Sequence, residues 1–109
     1  MSEITKELVA ASSRSLILSI LRNQQSYGYE ILRTISTLTE GRWNWTDGMI
    51  YPLLRRLESE KLIISHWKKV GVRRRRRYYA ITQNGREALE KGLKEWEIVH
   101  ATLQKALDL

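Results

Sequence analysis

Apolar side chains recur every three or four residues over much of the first 60 positions, the spacing that places them on one face of an α-helix. Two such stretches, Glu3 to Arg22 and Gly28 to Leu38, are separated by the polar segment Asn23 to Ser26, which is typical of a turn. A third stretch follows Gly41, and its apolar face is formed by Ile50, Leu53, Leu54 and Leu57. The spacing therefore predicts three helices that share one core.

The third helix is predicted to begin at Thr46, whose hydroxyl can accept a hydrogen bond from an unpaired N–H group of the first turn. Trp45 and Ile50 then have the spacing of a hydrophobic staple. Pro52 removes one helical hydrogen bond and clashes with the carbonyl group of Gly48. We therefore expect this helix to be irregular or to begin late.

The face of the third helix opposite to its apolar side carries small, uncharged and cationic residues, which are Gly48, Met49, Tyr51, Pro52, Arg55, Arg56 and Ser59. A helix of this kind can lie in the major groove of DNA, where it contacts base edges and phosphates. An ordinary solvent-exposed face explains the same composition equally well.

After the third helix the pattern changes to that of β-strands. The segments Leu62–Lys69 and Arg77–Thr82 are rich in Ile, Trp and Tyr, and Gly71 lies between them. This arrangement predicts a β-hairpin over residues 62–82, with a run of arginines at its tip and in its second strand.

The last segment, Thr82 to Leu109, is predicted to be one long helix capped by Thr82. Its apolar stripe is formed by Leu89, Gly92, Leu93, Trp96, Val99, His100 and Leu103, and continues to Ala106 and Leu107. A helix of about 25 residues is longer than so small a domain can cover. A second copy of the chain is the simplest partner for the stripe, so we expect a homodimer.

The chain has 109 residues and no cysteine, which indicates one domain without disulfides or thiolate metal sites. No apolar run is long enough to cross a membrane, and the N-terminus has no signal-peptide pattern. We therefore expect a soluble protein of the reducing cytoplasm.

The excess of positive over negative charge is confined to one short segment. Seven of the 19 basic residues lie between Lys68 and Arg77, and they are Lys68, Lys69, Arg73, Arg74, Arg75, Arg76 and Arg77. The other twelve are balanced by twelve Asp and Glu, so the net charge of +7 resides in this segment. A local patch of this kind indicates a polyanionic partner, whereas a disordered basic tail is the alternative.

Catalysis is poorly supported by the residues present. The two histidines, His66 and His100, are far apart and have no acidic neighbours at metal-ligand spacing. No phosphate-binding loop, nucleophile motif or pair of carboxylates is found. We expect neither an enzyme nor a metal or cofactor.

Four motifs resemble the signature blocks of the PadR-like transcriptional regulators, in the family's order and over nearly the whole chain. They are Tyr27-Gly28-Tyr29-Glu30-Ile31, the block from Gly48 to Glu58, Arg77-Tyr78-Tyr79, and Ile81-Thr82-Gln83-Asn84-Gly85. Two features depart from the family pattern. Lys61 stands where a glycine is usual, and the hairpin tip is shorter and richer in arginine.

The pattern and the resemblance together predict a mostly α-helical protein with a small β-hairpin. We expect a winged helix-turn-helix in residues 1–82, with its wing at about 62–82. Residues 83–109 are expected to form a C-terminal dimerisation helix that packs with the N-terminal helix. The resemblance is also to small drug-sensing members of the family, in which a tryptophan of the last helix lines an apolar pocket between the two copies. Trp96 is the matching residue, and Gly92 beside it is expected to leave space for a planar aromatic ligand.

The predicted function is a homodimeric regulator, a repressor of a palindromic operator in double-stranded DNA, released by such a ligand. Tyr29, Thr46 and Tyr51 are the candidates for phosphate contacts, and Met49, Pro52, Arg55 and Arg56 for contacts in the groove. Two alternatives remain open, an architectural or non-specific DNA-binding protein and a basic module that binds an acidic protein.

Overall fold

The computed structural model describes residues 4–43 and 45–109, and its helices and strands have the order of a winged helix. The helices are α1 (Lys6–Asn23), α2 (Gly28–Thr39), α3 (Asp47–Ser59) and α4 (Gln83–Leu107). The strands are β1 (Ser26–Tyr27), β2 (Ile63–Lys69) and β3 (Arg75–Ile81). Mostly helical architecture with a small antiparallel sheet confirms the fold class expected from the sequence.

The core lies where α1, α2, α3 and the base of the sheet meet. Fully buried aliphatic side chains from each of these elements form it, among them Ile17, Ile31, Ile35, Leu54 and Ile63. The first helix is capped by Thr5, whose Oγ1 accepts a hydrogen bond from the N–H of Leu8 at 3.3 Å. Glu3, the expected start of this helix, lies outside the described residues.

The third helix begins at Asp47, directly after its N-cap Thr46, and continues through Pro52, so the expectation that it would begin late was wrong. Only one hydrogen bond is lost, near the helix N-terminus, at a cost of about 3 kcal/mol. Ile50, Leu54 and Leu57 are buried on the inner face, and each such side chain contributes about 1.5–3 kcal/mol by leaving water. Their burial outweighs the effect of the proline.

Thr46 occupies the N-cap position of α3, but its hydroxyl does not have the expected role. Its backbone carbonyl accepts hydrogen bonds from the N–H groups of Met49 and Ile50, at 3.0 and 3.1 Å. Within the described part of the chain, its side chain makes no cap hydrogen bond. Trp45 is partly buried against the core cluster that contains Ile50, as a hydrophobic staple requires.

The sheet has three strands in the order β1-β3-β2, all antiparallel. The sequence had predicted only the hairpin β2–β3, with Ser26 in a turn. Instead Ser26 and Tyr27 pair with Tyr79 and Tyr78 of β3. Ser26 is only 2% exposed, and its hydroxyl donates to the Glu30 carboxylate at 2.6 Å. Two residues are too few for a strand periodicity, which is why the pattern did not show β1.

The last helix is anchored at its start and exposed beyond its middle. The hydroxyl of Thr82 accepts from the N–H of Gly85 at 3.0 Å, which confirms the expected cap. The first half of α4 packs against α1, and Leu89 is 3% exposed. Every residue after Gly92 is exposed. The radius of gyration is accordingly 15.8 Å, above the roughly 13 Å of a compact domain of this length.

Candidate nucleic-acid interface

The outer face of α3 is exposed to solvent. Met49 and Tyr51 are 41% and 38% exposed, and Gly48, Pro52, Arg55 and Arg56 are exposed with them. Tyr51 leans against the start of α2, with its ring on Gly28. Tyr29, in the first turn of α2, is 61% exposed and has the Arg33 guanidinium 6.0 Å from its ring centre. Two helices therefore present phenol and guanidinium groups together.

A cleft of about 590 Å³ separates α3 from the β2–β3 hairpin, which is the wing of this fold. We call it the wing cleft, and it is lined by Tyr27, Gly28, Tyr29, Tyr51, Arg55, Trp67, Arg74, Arg75, Arg76, Arg77 and Tyr79. Its walls are aromatic and cationic, and among the described residues none that lines it carries a carboxylate. A cavity lined in this way attracts anions and offers apolar surface to them at the same time.

The arginine run begins in the turn of the wing and continues into β3. Arg75 and Arg76 pair with Lys69 and Lys68 across the hairpin. Five positive charges in Arg73–Arg77 and two in the facing strand repel one another, so the folded wing is favoured when anions neutralise them. Because Arg75, Arg76 and Arg77 pair with residues of β2, the run belongs to a β-hairpin and is not a disordered tail.

Two of the wing cations are held in place by aromatic rings on the outer face of the sheet. The Arg76 guanidinium lies 4.4 Å from the ring centre of Tyr27, and the Lys68 ammonium lies 4.7 Å from that of Tyr78. Tyr27 and Tyr78 also contact each other edge to face, at 5.3 Å between centres. Cation–π contacts of this kind contribute about 0.5–1 kcal/mol at exposed sites. They restrict the two long side chains before any partner binds.

Arg77 differs from the other arginines of the run because it forms an ion pair and a hydrogen bond within the chain, although its side chain is 44% exposed. Its Nη2 lies 3.2 Å from the Glu58 carboxylate, and its Nε donates to the Ser65 hydroxyl at 2.9 Å. The Ser65 hydroxyl in turn donates to the other oxygen of Glu58 at 2.6 Å. Glu58 belongs to α3, whereas Ser65 and Arg77 belong to the wing. This network joins the two walls of the wing cleft.

Tyr79 lies under the same network and is 5% exposed. Burial raises the pKa of its hydroxyl above the ordinary value of 10.0, against a smaller lowering by the Arg77 guanidinium. The neutral phenol is therefore the form that the folded protein favours.

A second groove, of about 490 Å³, lies between α1 and α4. It is lined by Ala11, Arg14, Ser15, Ala88, Lys91, Gly92, Glu95, Trp96 and Val99. Trp96 is 36% exposed at its edge. A Cβ on Gly92 would lie 2.8 Å from Ser15 Oγ, so this glycine packs closely against α1. The space that it is expected to leave for a ligand between two copies stays a prediction. The glycine allows α1 and α4 to approach each other closely at this point.

The residues predicted to form the dimer stripe do not share one environment. Leu93, Val99 and Leu103 are 41%, 48% and 59% exposed, and His100 is exposed beside them. Leu89, by contrast, lies in the core of its own chain. The exposed stripe thus begins after Gly92.

Five side chains of the wing cleft and its network were not among the predicted site residues. Tyr27, Trp67 and Tyr79 line the cleft, and Glu58 and Ser65 belong to the network. Trp67 is 61% exposed on β2, and the sequence predicts for it only a place in that strand. Its position directly before two lysines in a strand was the one available signal. Glu58 and Ser65 had no such signal, since their roles depend on how α3 and β2 are placed in space.

The element order, with an exposed helix beside a basic hairpin, defines a winged helix-turn-helix protein. The model of the transcriptional regulator PadR-like family matches residues 17–91. The chain therefore belongs to the PadR-like family of transcriptional regulators, which are DNA-binding regulators and not enzymes.

Individual relatives agree with this assignment. The transcriptional regulator YqjI of Escherichia coli is 31% identical over 91 residues, which cover 84% of this chain. The match spans only 42% of that longer protein. An uncharacterized protein of Lysinibacillus sphaericus is 28% identical over 106 residues, which are 97% of this chain and 94% of that one.

Solved structures show the same architecture. A PadR-like transcriptional regulator of Bacillus cereus is 32% identical, with a TM-score of 0.81 over 94% of this chain and 97% of its own. A transcriptional regulator of Clostridium thermocellum is 29% identical, with a TM-score of 0.84 over 92% and 97%. Within the described residues, no helix is long and apolar enough to cross a membrane.

Proposed function

We propose that the chain acts as a homodimer that binds a palindromic or near-palindromic operator and represses the adjacent gene. The observation that carries this proposal is the exposed apolar face of α4 in a chain that also presents an exposed basic DNA-binding surface. Occupancy of an operator that overlaps a promoter is sufficient to block transcription. Because the bacteria that contain the relatives keep their DNA in the cytoplasm, we infer that the protein works there.

The dimer is inferred from what the single chain leaves uncovered. The side chains of Leu93, Val99, Leu103 and Leu107 follow one another along α4 and are between 41% and 78% exposed. Leu8 of α1 is 52% exposed. Burying such surface stabilises an association by about 25 cal/mol per Å². Residues 83–109 are therefore assigned to a dimerisation helix that packs with α1, and residues 1–82, which include α1, to the DNA-binding domain.

On DNA, α3 would lie in the major groove and the wing would reach the adjacent minor groove. Met49, Pro52, Arg55 and Arg56 are assigned to the major groove. Hydrogen bonds to phosphates are assigned to Tyr29, Tyr51 and Thr46. Lys68, Lys69 and the arginine run would contact the backbone beside them, with Arg77 placed to hold the wing in position. A two-fold dimer would read half-sites about one helical turn, roughly 34 Å, apart.

A second candidate is an architectural protein that binds any duplex, and the arginine run is the observation that favours it. Electrostatic contacts to phosphates provide affinity without sequence information. The two functions differ in whether a specific site remains protected when salt weakens phosphate contacts.

The test is a selection of bound fragments from a genomic or random DNA pool, followed by footprinting at moderate salt. A repeated motif with two-fold symmetry and a footprint that persists at this salt is the expected result. Recovery of unrelated fragments would support the architectural function instead. Sedimentation equilibrium at micromolar concentration is expected to show a dimer, and a folded monomer would contradict the proposed assembly.

We further propose that a planar aromatic ligand binds between the two Trp96 side chains and releases the operator. Trp96 is half-way along α4, partly exposed, and beside the groove between α1 and α4. A flat guest gains stacking and buries apolar surface there. It regulates only if it binds the DNA-competent and DNA-incompetent dimers with different affinity. The alternative is that the two indoles simply fill the interface.

The ligand site is tested by fluorescence titration with flat cationic dyes. The expected result is saturable binding that is lost in a dimeric, folded Trp96→Ala protein and kept in Trp67→Phe, which alters an exposed tryptophan elsewhere. Equal dye affinity in wild type and Trp96→Ala would remove Trp96 from the site.

A further inference from the structure

The indole of Trp67 lines the wing cleft, in the part of the hairpin that extends beyond the core. On the inner face of the hairpin, Ile63 pairs with Ile81 at the base and Ser65 with Tyr79 above it. The next pair on this face is Trp67 with Arg77, and it lies beyond the buried side chains. Trp67 is therefore a wall of the cleft and not a part of the core.

Trp67 is held in this position by its cross-strand neighbour. The Arg77 guanidinium lies 5.9 Å from the indole centre, within the range of a cation–π contact. Because Glu58 and Ser65 fix Arg77 at 3.2 and 2.9 Å, the indole is backed by a network that begins on α3. A large side chain that is both exposed and supported from behind is suited to contact a partner with little loss of conformational entropy.

The cleft that Trp67 faces is cationic, and its charge favours a polymer of phosphates such as DNA. Arg55, Arg74 and Arg75 line it together with Tyr51, and no carboxylate of residues 4–43 or 45–109 does. Phosphates drawn to these cations bring their deoxyribose rings with them, and sugar rings have apolar faces. An indole among cations can therefore bury sugar and base-edge carbon that the arginines cannot cover.

We propose that Trp67 is a DNA-contacting residue of the wing, which packs on the sugars and base edges of the strand that enters the wing cleft. This inference rests on the proposed function and refines it. Aromatic and aliphatic side chains that enter the minor groove act through apolar contact and base unstacking, not through charge. The contribution of Trp67 to affinity is therefore independent of salt, unlike that of the arginine run.

The test compares Trp67→Ala and Trp67→Phe with the wild-type protein on the selected operator at several salt concentrations. Trp67→Ala is expected to weaken operator binding by roughly tenfold, as the loss of about 60 Å² of apolar contact implies. The slope of log K against log salt is expected to stay unchanged. Trp67→Phe should retain most of the affinity, and thermal unfolding should show that both variants are folded.

Fluorescence provides a second readout that a purely structural role would not produce. In the wild-type protein the operator is expected to quench part of the tryptophan emission, because contact with nucleobases quenches indole fluorescence. This component should be missing in Trp67→Phe, which keeps Trp43, Trp45 and Trp96.

Three results would overturn the inference. They are an operator affinity of folded Trp67→Ala within twofold of wild type, a salt slope that falls together with the affinity, and quenching that persists in Trp67→Phe. In each case the wild-type protein still binds its operator, so the proposed function survives. A wild-type protein that selects no operator would instead remove the proposed function and the inference together.

Discussion

Tyr51 of α3 and Gly28 of α2 are in such close contact that a side chain on residue 28 has no room. A Cβ built there would lie 2.6 Å from the Tyr51 hydroxyl oxygen and 2.8 Å from two carbons of its ring. Gly28 is buried, whereas Tyr51 is 38% exposed at the rim of the wing cleft. The missing Cβ thus sets the direction in which a proposed phosphate-binding phenol points.

Gly28→Ala is expected to turn Tyr51 away from its position and to weaken DNA binding more than folding. The ring is at the protein surface and can move, and alanine favours the helix that begins at residue 28. A double-mutant cycle with Tyr51→Ala measures the coupling. The two substitutions should not add in their effect on DNA affinity, because each removes the same contact. Additive losses would show that Gly28 acts independently of Tyr51.

Replacing Arg73, Arg74 and Arg75 with glutamine is expected to weaken operator and random DNA alike. These side chains are exposed at the wing tip, and each phosphate contact removed should lower the salt slope by about 0.9. Titrations at four or more salt concentrations measure the slope. Lys94→Gln is the control, because it removes a charge from an exposed position on α4. An unchanged slope in the triple variant would place the run away from the DNA.

Arg55→Ala is expected to reduce discrimination between operator and random DNA. Arginine pairs in bidentate fashion with guanine, and a good pair is worth about 1–3 kcal/mol of discrimination. Arg55 lines the wing cleft and its exposed neighbour Arg56 does not, so Arg56→Ala is the matched comparison. Competition binding gives the ratio of the two affinities. If both affinities fall in proportion, Arg55 contacts a phosphate.

Lys61→Gly is expected to stabilise the protein by up to about 1 kcal/mol, because a side chain in the left-handed region is strained. The φ angle of Lys61 is 64°, which confirms the conformation for which a glycine would be preferred after α3. Urea unfolding of the two proteins measures the difference in free energy. Lys61→Ala removes the charge and keeps the strain, so it should show no comparable gain. A similar gain in both variants would attribute the effect to charge.

Stability is expected to fall as the pH rises above 10, in part because of Tyr79. Burial holds the pKa of its hydroxyl above 10.0 in the folded protein, whereas the unfolded chain loses this proton near that value. Between the two values the folded state binds more protons, so the free energy of unfolding decreases with pH. Below the unfolded pKa the contribution is constant. Tyr79→Phe should reduce the slope of stability against pH above 10, and identical slopes would contradict the assignment.

Much of the fold was predictable because its helices are amphipathic and long. Ile50, Leu54 and Leu57 identified α3, and the change of period after Leu62 identified the wing. The sequence could not show β1, since two residues have no periodicity. It also misjudged Pro52, because the balance between one lost hydrogen bond and three buried side chains depends on the core around them.

The candidate site was predictable in composition and less so in arrangement. The charge of the wing can be counted in the sequence, but a count does not distinguish Arg77 from its neighbours. That distinction requires the pairing of Trp67 with Arg77 and the placement of Glu58 opposite both, which only the packed structure supplies. Gly92 is a similar case, since absence of a side chain can mean either an open pocket or a close helix contact.

Thr82 joins the start of α4 to the segment that follows α3. Its hydroxyl donates to the carbonyl oxygen of Lys61 at 2.7 Å and accepts from Gly85, while a Cβ on Gly85 would collide with the Leu62 carbonyl oxygen. The first turn of α4 is thus seated on the connection between α3 and β2. In mechanical terms α4 is a lever arm with Thr82 as its fulcrum. For a helix of 25 residues, about 37 Å long, a tilt of about 5° moves the far end by about 3 Å. In the proposed dimer, a shift of that size between the two copies would reach α3 as a rotation of a few degrees.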